Sequence, residues 1–157
     1  MKNYLLILLL TFLLSCTFFA AAEQPEKIGP ALVYQAEMDF EDAKLNLLDA
    51  IEAEGMVISS TSHAQTMLDR TAESINGKGN IYDKAEIIQF CKVDLSHKLV
   101  SANPHNLVLC PYSIAVYSLK TDPKRIYFSY RAPYLDEPVV KDIQKLLDQL
   151  ILEAIDA

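Results

Sequence analysis

Two extended segments flank a short turn in the C-terminal third of the chain. Residues 107–117 are extended but interrupted by Pro111, which predicts an edge strand or a bulge there. Residues 125–131 alternate, with Ile126, Phe128 and Tyr130 on one side and Tyr127, Ser129 and Arg131 on the other. Asp122 and Pro123 form the turn between the segments. Because so short a connection joins only antiparallel strands, this part of the chain must form an antiparallel sheet.

Two amphipathic helices have clear boundaries. Asp39 is placed to cap a helix over residues 40–54, and Gly55 suits the position that follows its last turn. The final helix begins near Asp136 and Pro138, and its apolar positions form one stripe: Val140, Ile143, Leu147, Leu150, Ile151 and Ala154. These stripes predict helices that pack across a sheet.

Further strands are predicted over residues 31–38, 56–61 and 85–91. Ser62, in a capping box with Gln65, predicts a weak helix to Ile75, and Asp94 is placed to cap a short helix that ends before Pro104. The predicted fold is α+β: a mainly antiparallel sheet in the order β-α-β-β-β-β-α, with helices packed on one face and short extra helices.

The N-terminus predicts export. Lys2 precedes an apolar run from Tyr4 to Phe19, and small residues then predict signal-peptide cleavage after Ala22. The run is short for a transmembrane span. Residues 1–22 are thus a predicted signal peptide, 23–30 a mobile lead-in, and 31–157 a single domain. The alternative is a lipoprotein anchored at Cys16, because residues 13–16 resemble a lipobox.

The charge balance excludes some partners. The whole chain carries a net charge of −7, and the predicted cleavage removes one lysine and no acid, which makes it −8. Such an acidic chain is unsuited to nucleic acid. No transmembrane span remains after processing.

Two cysteines survive the predicted cleavage, Cys91 and Cys110. An even pair in an exported protein predicts a disulfide, whose loop of about 20 residues stabilises by roughly 3 kcal/mol. Thiol–disulfide exchange is an alternative, although there is no C-x-x-C motif. A metal ion is another, because His97 and His105 lie between the cysteines and complete four ligands. Haem has less support, since no attachment motif is present.

Tyrosines crowd the final hairpin: Tyr112, Tyr117, Tyr127, Tyr130 and Tyr134. Tyrosines commonly occupy half-buried strands for packing alone. The functional alternative is a pocket or dimer face in which Arg131 receives an anionic group. The candidate pocket residues are Tyr112, Tyr127, Tyr130, Arg131 and His97, between this sheet face and the short helix after Cys91.

Several of these segments resemble the domain of unknown function 302 family over residues 33–133. The resemblance is carried by the helix over residues 40–54 with Gly55, by Phe90-Cys91, by Ala102-Asn103-Pro104, by Cys110-Pro111-Tyr112 and by the strand over residues 127–131. Many members have Gly-Asn-Pro where this chain has Cys91-Lys92-Val93, so it looks like an exported, cysteine-bearing branch. The resemblance implies an antiparallel sheet in the order given above and members that dimerise, and it supplies no catalytic residue.

The sequence favours a non-enzymatic, exported module that binds a small ligand or an exported protein. It has no nucleophile elbow, phosphate loop or dinucleotide fingerprint, so no enzyme class is indicated. The alternative is a redox or metal-handling protein that uses Cys91 and Cys110. No cofactor is predicted, and a homodimer through a sheet edge or the tyrosine-rich hairpin is a further expectation.

Overall fold

The computed structural model describes residues 24–75, 80–132 and 137–157. One sheet contains six strands: β1 Glu26–Ile28, β2 Ala31–Glu37, β3 Val57–Ser62, β4 Tyr82–Cys91, β5 Tyr112–Leu119 and β6 Asp122–Arg131. Its order is β1-β2-β6-β5-β4-β3, and each neighbouring pair is antiparallel. The helices are α1 Phe40–Ala53, α2 Ala64–Ala72, α3 Val93–Ala102 and α4 Pro138–Asp156, with 3₁₀ segments at Glu73–Ile75 and Pro104–Leu109. The predicted α+β class is confirmed.

The lead-in predicted to be mobile contains a strand. β1 pairs with β2 in a tight hairpin, and Gly29 turns the chain with φ of 56°. Glycine adopts this left-handed conformation at little cost because it has no Cβ. The signal peptide at 1–22, the loop at 76–79, Tyr134 and Asp136 lie outside the described residues.

The caps of α1 match the prediction. The Asp39 carboxylate accepts the backbone N–H of Glu41 at 2.8 Å, and Gly55 follows the helix with φ of 72°. The prediction that Ser62 caps a helix was wrong. Ser62 is paired with Ile87 in the sheet, and α2 begins only at Ala64.

The predictions around α3 were partly wrong. Asp94 lies inside its first turn, and the capping position belongs to Lys92, whose side chain makes no capping bond. Residues 107–109 are not extended but end a 3₁₀ helix. Asn103 initiates that helix by accepting the backbone N–H of His105 at 2.9 Å, and Pro104 fits its first position.

One apolar cluster joins the helices to the sheet. α1, α3 and α4 pack on the face that carries Ile88, Ile114, Val116 and Phe128, all with no exposed surface. The alternate positions form the other face, where Tyr117 stacks on Tyr127 with ring centres 5.2 Å apart. Within the described residues, no helix has the length and apolar character to cross a membrane.

Candidate functional site

A cavity of about 290 Å³ opens where β5 begins and β6 ends. α4 closes one side of it, and the end of the 3₁₀ helix with the segment at Cys110 and Pro111 closes another. The described residues that line it are Gln89, Val108, Leu109, Cys110, Pro111, Tyr112, Ser113, Tyr130, Arg131, Ala132, Val140, Ile143, Gln144 and Leu147. The cavity therefore lies at one end of the sheet, between sheet and helix.

Antiparallel pairing brings the two strand ends together. β5 and β6 pair through Ala115 opposite Ser129, so the start of β5 adjoins the end of β6. α4 contributes its side from positions three and four residues apart, Val140, Ile143, Gln144 and Leu147, which share one face of a helix. The apolar stripe predicted for the core thus also lines the cavity.

Tyr130 is fixed by hydrogen bonds. Its hydroxyl and that of Tyr34 both donate to the same oxygen of Asp148, the Tyr34 bond at 2.8 Å. Burial first, and the adjacent Asp148 second, raise the pKa of Tyr130 well above its ordinary value. Gln144 also contacts the Tyr130 hydroxyl. The Tyr130 phenol is therefore held in place and kept protonated.

Tyr112 belongs to a second polar cluster, which includes both cysteines. Its hydroxyl lies 3.3 Å from Ser96 Oγ, and the Cys110 thiol donates to the same Ser96 oxygen at 3.6 Å. Burial raises the pKa of Tyr112 to about 12. Burial, followed by the neighbouring Cys110 thiol, raises the pKa of Cys91.

The cysteine pair is in contact but not joined. Both residues are free thiols, each partly buried, and they lie close enough to interact. The predicted disulfide stays a prediction. The structure brings together the two residues that such a bridge requires, because Cys91 ends β4 and Cys110 lies two residues before β5.

Arg131 is the one charged residue among the described residues that line the cavity. Its side chain is exposed at the end of β6, and no described acidic group pairs with it. Histidines and carboxylates do not occur in the described lining. The site therefore combines apolar side chains, neutral polar groups and a single cation.

Three of the five candidate pocket residues line the cavity: Tyr112, Tyr130 and Arg131. Tyr127 lies on the opposite face of the sheet, against Tyr117, and His97 is exposed on α3. The alternation along β6 separates Tyr127 from Tyr130. Arg131 alternates with Tyr130 as well, but it ends the strand and lines the cavity from there. That these residues bind a ligand stays a prediction.

The two glutamines that line the cavity, Gln89 and Gln144, were not among the predicted site residues. Gln89 alternates with the buried Ile88 and Phe90 along β4, and Gln144 interrupts the apolar stripe of α4. Each position was visible as polar, but only the packing of α4 against the strand ends shows that both reach one cavity.

The four proposed metal ligands are not assembled. Cys91 and Cys110 are adjacent, whereas His97 and His105 are exposed. In the described part of the chain, no three histidine, cysteine, aspartate or glutamate side chains are placed to hold one metal ion.

Comparisons with known proteins agree on the family. The family model described as "Domain of unknown function DUF302" matches residues 32–157. A crystal structure of an uncharacterized conserved protein DUF302 from Bacillus stearothermophilus is similar, with a TM-score of 0.61 and 11% identity over 82% of this chain and 98% of that one. This similarity shows the fold alone. No curated protein matches the chain.

Proposed function

The chain belongs to the DUF302 family, and from the cavity that it forms on this fold we propose that it is a non-enzymatic module that binds a small organic molecule. The cavity carries the proposal. Its volume of about 290 Å³ is at the lower end for ligand pockets, which suits a compact ligand. Apolar side chains with a few polar groups are the usual lining of such pockets.

The lining supports binding rather than catalysis. General acid–base chemistry at neutral pH needs a group whose pKa lies near 7, usually a histidine or a carboxylate. The described lining offers neither, and burial keeps both of its phenols protonated, with the pKa of Tyr112 at about 12. The cavity thus suits holding a molecule better than transforming it.

A neutral apolar dye tests the proposal. N-phenyl-1-naphthylamine should bind the wild-type protein saturably, with increased fluorescence, because its rings can contact the apolar side chains of the lining. Ala132→Trp places an indole in the cavity. We expect it to weaken dye binding at least about tenfold.

The matched control is Ala53→Trp, at the exposed end of α1. It should bind the dye like the wild type, and thermal unfolding checks that both variants are folded. No saturable binding to the wild-type protein, or equal binding by a folded Ala132→Trp variant, would contradict the proposal.

Thiol–disulfide exchange is a second candidate function. The contact between Cys91 and Cys110, with Cys110 on the cavity, favours it. The raised pKa of Cys91 opposes it, because the thiolate is the reactive form and burial reduces its fraction at neutral pH. A structural bridge is therefore the better interpretation of the pair.

Export is part of the proposal. We place the module outside the cytoplasm on the strength of the predicted signal peptide at residues 1–22. An oxidising compartment would also favour the bridge between the cysteines.

A further inference from the structure

The two arginines of β6 differ in their surroundings. Arg125 is held by Asp122 at 3.0 Å and by Glu37 at 3.7 Å. Arg131 has no such partner in the described part of the chain, and it is the one that lines the cavity. Its guanidinium is therefore available to a ligand, with a planar set of donors that fits a carboxylate or sulfonate.

Nothing charged in the described lining opposes an anion. The Asp148 carboxylate accepts the hydroxyls of Tyr34 and Tyr130, and it is not itself a lining residue. The phenols stay neutral up to strongly alkaline pH because burial raises the pKa of Tyr112 and of Tyr130. The positive charge at the cavity is thus not cancelled locally.

The chain as a whole repels anions. Its net charge is −7, so its overall field lowers the local concentration of negative ligands. An anion that binds here must be held by contacts at the cavity. Arg131 is therefore a local positive charge on an acidic protein, not part of a basic surface, and it would select an anion only at the cavity.

Neutral polar side chains also line the cavity. Gln144 contacts the Tyr130 hydroxyl, whereas the Gln89 side-chain oxygen accepts the hydroxyl of Ser60 on β3, on the sheet face opposite the buried Ile88 and Phe90. The body of the ligand would contact the apolar side chains of Val140, Ile143 and Leu147.

From this arrangement we infer that the ligand is a small organic anion with an apolar body, whose carboxylate or sulfonate binds Arg131 while the body enters the cavity. The inference rests on the proposed binding function and names the chemical class of the ligand. It also makes Arg131 the residue that determines charge specificity.

Two dyes of similar apolar size test this inference. The anionic dye is 1-anilinonaphthalene-8-sulfonate, and the neutral one is N-phenyl-1-naphthylamine. We expect Arg131→Gln to weaken the anionic dye about fivefold, the upper end for an exposed ion pair, and to leave the neutral dye unchanged. Arg131→Lys should retain part of the preference, because it keeps the charge but loses the planar donors.

Arg125→Gln is the matched control, since it removes the same charge from the same strand away from the cavity. It should leave both dyes unaffected, and Ala132→Trp should weaken both. If Arg131→Gln changes neither dye, or if both arginine variants weaken the anionic dye equally, the inference is wrong and the binding function stands. If the wild type binds neither dye, the binding function itself fails.

Discussion

Tyr130 shows how one side chain contributes to both the core and the cavity. Its ring is 4% exposed, and its hydroxyl reaches Asp148 on α4 at the rim of the cluster. An aromatic ring with a polar tip is suited to this position, because the ring packs while the hydroxyl keeps a partner. The alternation along β6 predicted that Tyr130 shares a face with Ile126 and Phe128, but not which residue its hydroxyl contacts.

Tyr112 provides a test at alkaline pH. Burial raises its pKa from 10.0 to about 12, so the folded state favours the protonated phenol. The resulting stabilisation is fully present below pH 10 and is lost as the pH rises through about 12. We expect the free energy of unfolding of Tyr112→Phe to fall less steeply over this range than that of the wild type, as measured by urea denaturation.

Tyr127→Phe is the control for the loss of one phenol, since it changes the open face of the sheet. Tyrosine absorbance near 295 nm reports ionisation directly. If the free energy of unfolding depends on pH in the same way for the wild type and for Tyr112→Phe, the Tyr112 phenol does not have the raised pKa that its burial implies.

The elements differ in how well local sequence specifies them. α1 begins and ends where Asp39 and Gly55 indicate, because capping is a local interaction between residues close in the chain. α2 begins later than Ser62 suggests, because pairing of Ser62 with β4 competes with its capping role. Capping patterns in the sequence therefore predict a helix boundary correctly unless the capping residue is paired with a distant strand.

The placement of Cys91 and Cys110 allows the predicted disulfide to be tested. β4 ends at Cys91, and the Cys110 thiol lies next to the Cys91 thiol. Both thiols also contact the Ser96 hydroxyl on α3. We expect a titration of protein purified without reductant to find no free thiol. Reduction should then lower the free energy of unfolding by about 3 kcal/mol, since the bridge closes a loop of about 20 residues.

Cys91→Ser with Cys110→Ser is the control, and its stability should not depend on reductant. Two free thiols in the purified protein would contradict the bridge. Reduction of a model disulfide by the protein, lost in the double variant, would instead support thiol–disulfide exchange.

At the scale of the molecule, the sheet order brings distant segments to one cavity. β5, β6 and α4 follow one another in sequence, whereas Gln89 on β4 and the 3₁₀ helix reach the same end of the sheet from earlier in the chain. The edges of the sheet are β1 and β3. The homodimer expected through a sheet edge or through the tyrosines stays a prediction.

Export and its cleavage site remain predictions. We expect cleavage after Ala22, because small residues at positions 20 and 22 fit signal peptidase, and therefore an intact mass equal to residues 23–157. Mass spectrometry of the exported fraction measures this. Cys16→Ser should leave the mass unchanged, whereas a lipid-modified N-terminus lost in Cys16→Ser would establish the lipoprotein alternative.

The sequence by itself determined the α+β class, the antiparallel pairing of the final hairpin and the caps of α1, because alternation, short turns and capping act over a few residues. It also singled out Tyr112, Tyr130 and Arg131. Only the tertiary structure decided that these three share a cavity with Gln89 and Gln144, while Tyr127 and His97 lie elsewhere. The physical reason is that a cavity is the space left between packed elements, and that space depends on how α4 lies against the strand ends.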